Sequence, residues 1–581
     1  RGLVGSEMCI RDSQEGVALM CLAESVLRIP DKKTRDLIIS EKLSAGSWID
    51  HLNRADSIFV NASTWGLLLA GKVVNTPSEW SDDPYNFLSG LISKSGEMPI
   101  RNAVLAAMQI LSQEFVIGKD FRDIEKLSNL ENESYSFDML GEAARTMRQA
   151  DNYFNAYMNA IDEVGKLNLI KNLNNGVSIK ISALHPRYEM RKFKDLESEL
   201  IPRLIELVHY AHSKDVEITI DAEEQDRLTL SLNIIEKLAL DKVIKNWTGF
   251  GIALQAYGKR SINVIHWINK ILDKREKMHL RLVKGAYWDY EIKHAQVFGY
   301  EDYPVYSKKS LTDISFLLCA KEILKNEKIY AKFATHNAHT ISSVHQLGQG
   351  KDYEFQRLYG MGELLYQSAE KVLNLEKKPS VYAPIGSYKD LLPYLVRRLL
   401  ENGANSSFIN RLLDPETDAN WLAENPAIRI EKEKIDIPLP KNIFTERKNS
   451  SGFDLSENSN LENLEKSISA HKKNKINAES IYVNRDEKEK VGQKVYSIAN
   501  NEEIGTAIFD DPTNVKSALE NFASEKWSKY SVQERSQILI KISNDIEKDP
   551  SELIFYLLNE AGKTIQNAID EIRDCLLYTS D

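Results

Sequence analysis

Cysteine is scarce, with four in 581 residues. Cys9 and Cys575 lie in the terminal stretches RGLVGSEMCIRDS and CLLYTSD, which do not continue the patterns beside them and read as foreign sequence joined to a genuine piece. Cys21 and Cys319 are isolated in apolar, helix-patterned surroundings. This usage excludes a disulfide framework and a cysteine metal site. Membrane-length apolar runs are also lacking, since SIFVNASTWGLLLAG from Ser57 is short and carries polar residues. With no signal peptide in view, the expected compartment is a reducing cytoplasm. Basic excess is missing too: 75 Lys and Arg against 85 Asp and Glu give a net charge of −10, which argues against a nucleic-acid-binding surface over the whole chain. Phosphate-binding glycine loops fail on spacing. Gly360-Met361-Gly362 has Leu365 at the third glycine position, and Gly562-Lys563-Thr564 would need a glycine where Leu557 stands. His336 and His339 are three apart without a HExxH pattern, so no metal site is expected.

What is present divides by pattern, and the length calls for two or three domains. Residues 14–132 read as helical, as in GVALMCLAESVLRI and SGEMPIRNAVLAAMQILSQEF. Residues 133–413 alternate short β-type runs with helical stretches. A Lys-, Glu-, Asn- and Ser-rich passage within 414–479 reads as a linker, helical in part, and 480–573 begins a further module. That module's helices are expected at Thr513–Ser524, Val532–Lys548 and Ser551–Asn559.

The middle region decides the fold class. Strand candidates start at Tyr135, Val177, Glu217, Gly251, Leu280, Lys332, Glu354 and Val381. Eight strands, each followed by a helix-length segment, predict an α/β fold of the (β/α)8 TIM-like barrel class. A doubly wound open sheet would carry a glycine-rich turn after its first strand, and none is present. Alternation within the strands sharpens the reading. Ser178, Lys180 and Ser182 oppose Ile179 and Ile181; Thr219, Asp221 and Glu223 oppose Ile218 and Ile220. Gln255 and Tyr257 oppose Ile252 and Leu254, and Arg281 opposes Leu280 and Leu282. Aliphatic faces suit the helix layer, so the polar faces point inward. Interior charge is costly unless it is paired or used. Lys180, Asp221, Gln255, Arg281, Gln356 and Tyr382 are therefore expected around the barrel mouth, where such folds place their active sites. Adjacent Arg397 and Arg398, on a helix after the last strand, suit a carboxylate lying between their directions.

Seven segments of this region, SIKISALHPRY, IDAEEQDRL, RLVKGAYWD, FATHNAHT, YEFQRLYGMGE, YAPIG and YLVRRLLENGANSSF, closely resemble the proline dehydrogenase barrel of the bifunctional bacterial proline utilization A family. The resemblance runs from about Gln14 to Leu413, with the family's helical domain ahead of the barrel. It implies FAD as cofactor and L-proline as substrate, with hydride passing from ring carbon C5 to flavin N5 and electrons then to a membrane quinone. It further implies that Arg397, Arg398 and Lys180 bind the proline carboxylate. By the same resemblance Tyr382, Leu358 and Tyr287 surround the ring, and Asp221 and Glu401 hold the site's basic groups. Gln255, Arg281, Val283, Gly285, Ala286, Trp288, Thr335, His336, Asn337 and Gln356, with Asp221, match positions around the flavin. Peripheral association with the inner face of the cell membrane and an oligomeric full-length parent are compatible with the family. Its N-terminal DNA-binding module, carried by some members, is not expected here, so no nucleic-acid partner is expected for this piece.

From Ser480 the chain resembles the start of an aldehyde dehydrogenase module, carried by FASEKWSKYSVQERSQILIKISNDIEKDPSELIFYLLNEAGKTIQNAIDEIRD. That chemistry needs a cysteine nucleophile. No cysteine lies between Cys319 and Cys575, so semialdehyde oxidation with NAD is expected only of the parent protein. Two other classes compete with the dehydrogenase. One is a barrel aldolase using Lys180 or Lys284 as a Schiff-base amine; the other is a non-catalytic regulatory protein.

Overall fold

The eight β-type runs form strands where periodicity places them. They are β1 (Tyr135–Asp138), β2 (Gly176–Ile179), β3 (Glu217–Ile220), β4 (Phe250–Gln255), β5 (Met278–Val283), β6 (Ile329–Ala334), β7 (Tyr353–Leu358) and β8 (Ser380–Pro384). Every neighbour pair is parallel, and β8 pairs back onto β1, closing the barrel in sequence order. This computed structural model describes residues 116–124, 133–171, 173–386, 394, 423–432, 437–445, 447–479, 492–520, 527 and 529–580. The helical region expected at 14–132 therefore lies outside the described residues, apart from 116–124.

Helices wrap the barrel: α1 (Met147–Lys171), α2 (Ile201–Ser213), α3 (Leu228–Ala239), α4 (Ser261–Leu272), α5 (Trp288–Val297), α6 (Lys309–Ile323), α7 (Ala338–Leu347) and α8 (Glu363–Leu373). Their formation follows from spacing. In α4, Val264, Ile265, Ile268, Ile271 and Leu272 recur every three or four residues and are all buried. Proline near the start of α2 costs no hydrogen bond there, and Asn337 caps α7 by accepting from the Thr340 amide at 2.9 Å. These apolar faces meet the outward strand residues Phe137, Val177, Ile179, Ile218, Ile252, Leu280, Phe333 and Val381 in one core. Each such side chain contributes about 1.5–3 kcal/mol on burial.

Inside the barrel the pattern inverts, and a lower ionic layer fills the floor. The Lys332 ammonium contacts Glu217 directly and lies 3.4 Å from Glu354. His279 shares a 2.8 Å hydrogen bond with Thr219. Burial, reinforced by Lys332 and Arg281, holds His279 well below the usual imidazole range, so the ring stays neutral. Gly251 makes room for it, because a β-carbon there would lie 2.1 Å from His279 Cδ2 and 2.3 Å from its carbonyl oxygen. Gly251→Ala is accordingly expected to destabilise the barrel by about 1–3 kcal/mol through overpacking against backbone that cannot move away. Urea denaturation of the variant measures this.

The C-terminal part forms a second, smaller unit. It contains α9 (Asn458–Ala470), β9 (Ile476–Glu479), β10 (Gly492–Tyr496), β11 (Glu503–Ile508), α10 (Val532–Lys548), α11 (Ser551–Asn559) and α12 (Ile565–Ser580). Its sheet runs β10-β11-β9. Two of the three helices expected here keep their bounds; the first is seen over Pro512–Glu520, and its expected end at Ser524 lies outside the described residues. The described part of the linker passage carries a buried helical stripe that its composition does not suggest. Leu464 of α9 joins Ile554, Ile569 and Ile572 in a separate core, with Leu461 and Ile468 packed against it. The helix α12 continues to Ser580, into the stretch read as foreign.

Candidate active site

The strand ends at the C-terminal mouth of the barrel bring four buried charges together. Asp138 ends β1, and the Lys180 and Asp221 side chains follow β2 and β3 directly. Lys180 Nζ donates to Asp138 Oδ1 at 2.8 Å and to Asp221 Oδ2 at 3.2 Å. Arg281, inward on β5, donates from Nη1 to Asp221 Oδ1 at 2.8 Å. Its Nη2 donates to Ser136 Oγ at 2.8 Å and Ser178 Oγ at 3.1 Å. Tyr382, the middle residue of β8, places its hydroxyl 2.7 Å from an oxygen of each carboxylate, and Lys180 Nζ lies 3.4 Å away. The Arg281 guanidinium sits 5.0 Å from the centre of the Tyr382 ring. Two carboxylates thus balance two cations around one phenol, all of it nearly closed to solvent.

Burial and charge pull in opposite directions on these groups. Burial alone pushes the Asp138 carboxyl up, but the Lys180 ammonium and the Tyr382 hydroxyl outweigh it and hold the group below its ordinary value. For Lys180, burial pushes down, and Asp138, Tyr382 and Asp221 more than reverse that, so the amine stays protonated. Burial and the two carboxylates raise Tyr382 well above the usual phenol range, keeping it a neutral hydroxyl. A small cavity of about 30 Å³ opens beside Asp221, lined also by Glu223, Glu224, Gln225 and Gln255. Burial raises Glu223 and Glu224 above ordinary carboxylates and takes neighbouring Glu291 up to about 8.

Lys180, Asp221, Arg281 and Tyr382 therefore meet as the sequence suggests. Leu358 is in register with Tyr382 across β7 and β8, and its amide donates to His336 Nε2 at 3.1 Å. Gln255 is tied into the wall: its Nε2 donates to the Glu223 carbonyl at 2.7 Å, and its Oε1 accepts from the Ala286 amide at 3.1 Å. Val283 ends β5, Gly285 follows at φ +141° against the Tyr257 ring, and Tyr287 precedes α5. The Trp288 indole turns to the Tyr306 carbonyl at 2.9 Å. Thr335 Oγ1 accepts from the Asn337 amide at 3.2 Å. Gln356 Nε2 donates to Ser380 Oγ at 3.1 Å. Arg397, Arg398 and Glu401 lie outside the described residues.

The inward alternation holds only as far as the backbone stays extended. Past β2 a 3-10 turn over Ile181–Ala183 takes Ser182 into a loop layer, where its amide donates to Glu223 at 3.1 Å and Arg227 joins the pair. Past β4, Tyr257 packs into a side cluster with Ile292, Tyr303 and Val305 rather than facing the mouth. Arg281 and Gln356 sit below the rim. The residue missed in the sequence is Asp138. Its signal is present in Tyr135-Ser136-Phe137-Asp138, where Ser136 and Asp138 share the inward parity.

Such a site, charged groups converging at the C-terminal strand ends of a closed parallel barrel, defines a barrel enzyme class. Residues 121–411 match the family described as proline dehydrogenase, which is half of the chain, and the chain belongs to that family. Residues 482–580 match the aldehyde dehydrogenase family. Residues 10–115 match the DNA-binding domain of proline dehydrogenase, which counts against the expectation that no such module is present. Bifunctional protein PutA of Escherichia coli K12 is 41% identical over 97% of this chain and 45% of its own length. The Rhizobium meliloti PutA is 42% identical over 78% of this chain and 38% of its own. A crystal structure of Bradyrhizobium japonicum proline utilization A superposes with a TM-score of 0.73 at 34% identity, over 99% of this chain and 57% of that one. The chain thus spans about half the length of the relatives it matches. In domain order it is PutA-like, with a proline dehydrogenase domain followed by the start of an aldehyde dehydrogenase domain. Among the described residues no helix is long and apolar enough to cross a membrane, and no cluster of His, Cys, Asp and Glu suits a metal.

Proposed function

We propose that this chain oxidises L-proline to 1-pyrroline-5-carboxylate with FAD as its cofactor and a quinone as the final acceptor, met by peripheral contact with the membrane. The observation that carries the reading is the buried Lys180 ammonium, held charged at the mouth of a barrel of the proline dehydrogenase family. The residues present fit a flavin. Gln356 Oε1 and Arg281 Nε are buried and find no partner among the described residues. Leaving such groups unmet costs about 1–3 kcal/mol each. A flavin ring edge, with both carbonyl oxygens and an N–H, complements one free acceptor and one free donor. When bound, the cofactor supplies a two-electron hydride acceptor at N5. Arg281, Gln356, Thr335, His336 and Asn337 would hold it, with the Val283–Trp288 segment along one side.

The other steps belong to the chain's own side chains. Arg397 and Arg398 clamp the proline carboxylate, Glu401 holds them, and Lys180 joins by exchanging its long 3.4 Å contact to Tyr382 for the substrate. Tyr382, Leu358 and Tyr287 shape the space around the ring. Asp221 fixes Lys180 and Arg281 at once. Proline gives up hydride only with its amine unprotonated, and a cationic surround lowers that amine's pKa. The same division assigns 14–132 to a helical domain, 133–413 to the barrel, 414–479 to a connecting segment and 480–573 to the start of the aldehyde dehydrogenase module. The parent protein oxidises the semialdehyde with NAD.

The aldolase reading is weaker on geometry. A Schiff-base lysine must lose its proton, whereas Lys180 is held protonated and Lys284 is paired directly with Asp313. Purified protein decides between them: L-proline should bleach a bound flavin, and colourless protein trapped by borohydride with a carbonyl substrate would sink the proposal. Alanine at Arg397 and Arg398 together should remove two charge-assisted contacts, at about 1.5–3 kcal/mol each. Steady-state kinetics should then show kcat/KM for proline falling by roughly 10²–10⁴-fold.

A further inference from the structure

Resting on the flavin reading above, we propose that Ser380 is a positioning residue that, held by Glu354, fixes the Gln356 amide so that its oxygen is presented to the cofactor. The logic is one of proton direction. An ionised carboxylate only accepts, so the Ser380 hydroxyl, 2.8 Å from Glu354 Oε1, donates downward. Glu354 is itself anchored by the Tyr330 hydroxyl at 2.9 Å and by Lys332 at 3.4 Å. The Ser380 oxygen then has only lone pairs to offer Gln356, and it accepts from Nε2 at 3.1 Å. An amide that commits its nitrogen to Ser380 must turn its oxygen the other way. Gln356 is 1% exposed, and that oxygen finds no partner among the described residues. The side chain is inward-facing, since the alternate residue Phe355 packs outward against Phe333 and Tyr366. The locked acceptor therefore selects a ligand edge carrying an N–H, which in a flavin is the imide nitrogen N3.

Binding to the apoprotein tests this without recourse to turnover. FAD and FAD methylated at N3 are titrated by fluorescence quenching into wild type, Ser380→Ala and Ser380→Thr. Wild type should bind FAD at least about tenfold more tightly than the methylated form, one lost buried hydrogen bond. That ratio should fall to within about twofold in Ser380→Ala, whose amide can turn, and be restored in Ser380→Thr, which keeps the hydroxyl. A merely structural Ser380 would weaken both flavins equally and leave the ratio alone, and that result overturns the proposal. So does a wild-type ratio near one, which needs no variant to fold. An apoprotein that binds neither flavin overturns the flavin reading itself.

Discussion

Lys180→Met should destabilise the protein by about 3–5 kcal/mol near neutral pH, the cost of leaving buried carboxylates without their cation. It should also abolish flavin bleaching by proline. Its stability should depend on pH in the direction opposite to that of the wild type. In the wild type Asp138 titrates below its unfolded value of about 3.9, because Lys180 and Tyr382 outweigh burial. Its stabilising contribution is thus present above about pH 4 and is lost as pH falls through the folded value. Lys180, raised above its own unfolded value, contributes throughout the range below about pH 10. With the ammonium gone, burial dominates Asp138 and lifts its folded pKa above the unfolded one. The protonated acid is then the stable native form, and stability is lost as pH rises through the raised value. The gap between variant and wild type should therefore widen from about pH 5 to about pH 8. Urea denaturation at both ends measures it; a constant gap, or one under about 1 kcal/mol, would show that the buried charges are not coupled as described.

Much of this site was legible because β-structure has a period of two. Lys180, Asp221 and Arg281 stood out as charges on the polar side of otherwise aliphatic runs, and the structure joins all three. Asp138 escaped because β1 offers only four residues, too short a run to make one acid conspicuous. Ser182 and Tyr257 were misplaced for a related reason: alternation is a property of extended backbone and lapses at the first turn. The floor layer could not be read at all. Lys332 meets Glu217 across 115 residues of sequence, and each opens its strand candidate in the sequence, where a charge ordinarily marks a solvated end, whereas β6 starts at Ile329 and places Lys332 inside the strand. Closure of the barrel is what brings them together. In α9, Leu461, Leu464 and Ile468 do keep helical spacing, but a polar background hid a stripe whose partners, chiefly in α11 and α12, are far along the chain.

Arg281→Lys should be far from conservative, lowering stability by about 3 kcal/mol and kcat/KM for proline by roughly 100-fold. The guanidinium works as a fork: one arm holds Asp221 while the other reaches Ser136 and Ser178, and the residue is 2% exposed. An ammonium can keep the Asp221 contact or the serine contacts, but its single nitrogen cannot stand in both places. The two serines retain each other at 3.0 Å, which limits the loss. Arg281→Met should separate geometry from charge. It loses the fork as the lysine variant does, and it also leaves Asp138 and Asp221 facing Lys180 alone. That site carries a net negative charge where an anionic substrate must bind. KM for proline should therefore rise more in the methionine variant than in the lysine one, and stability should fall further, because a buried carboxylate is left without its cation. Kinetics and denaturation on the same preparations check this order. A lysine variant within threefold of wild-type kcat/KM would mean that charge alone suffices and that the fork is incidental.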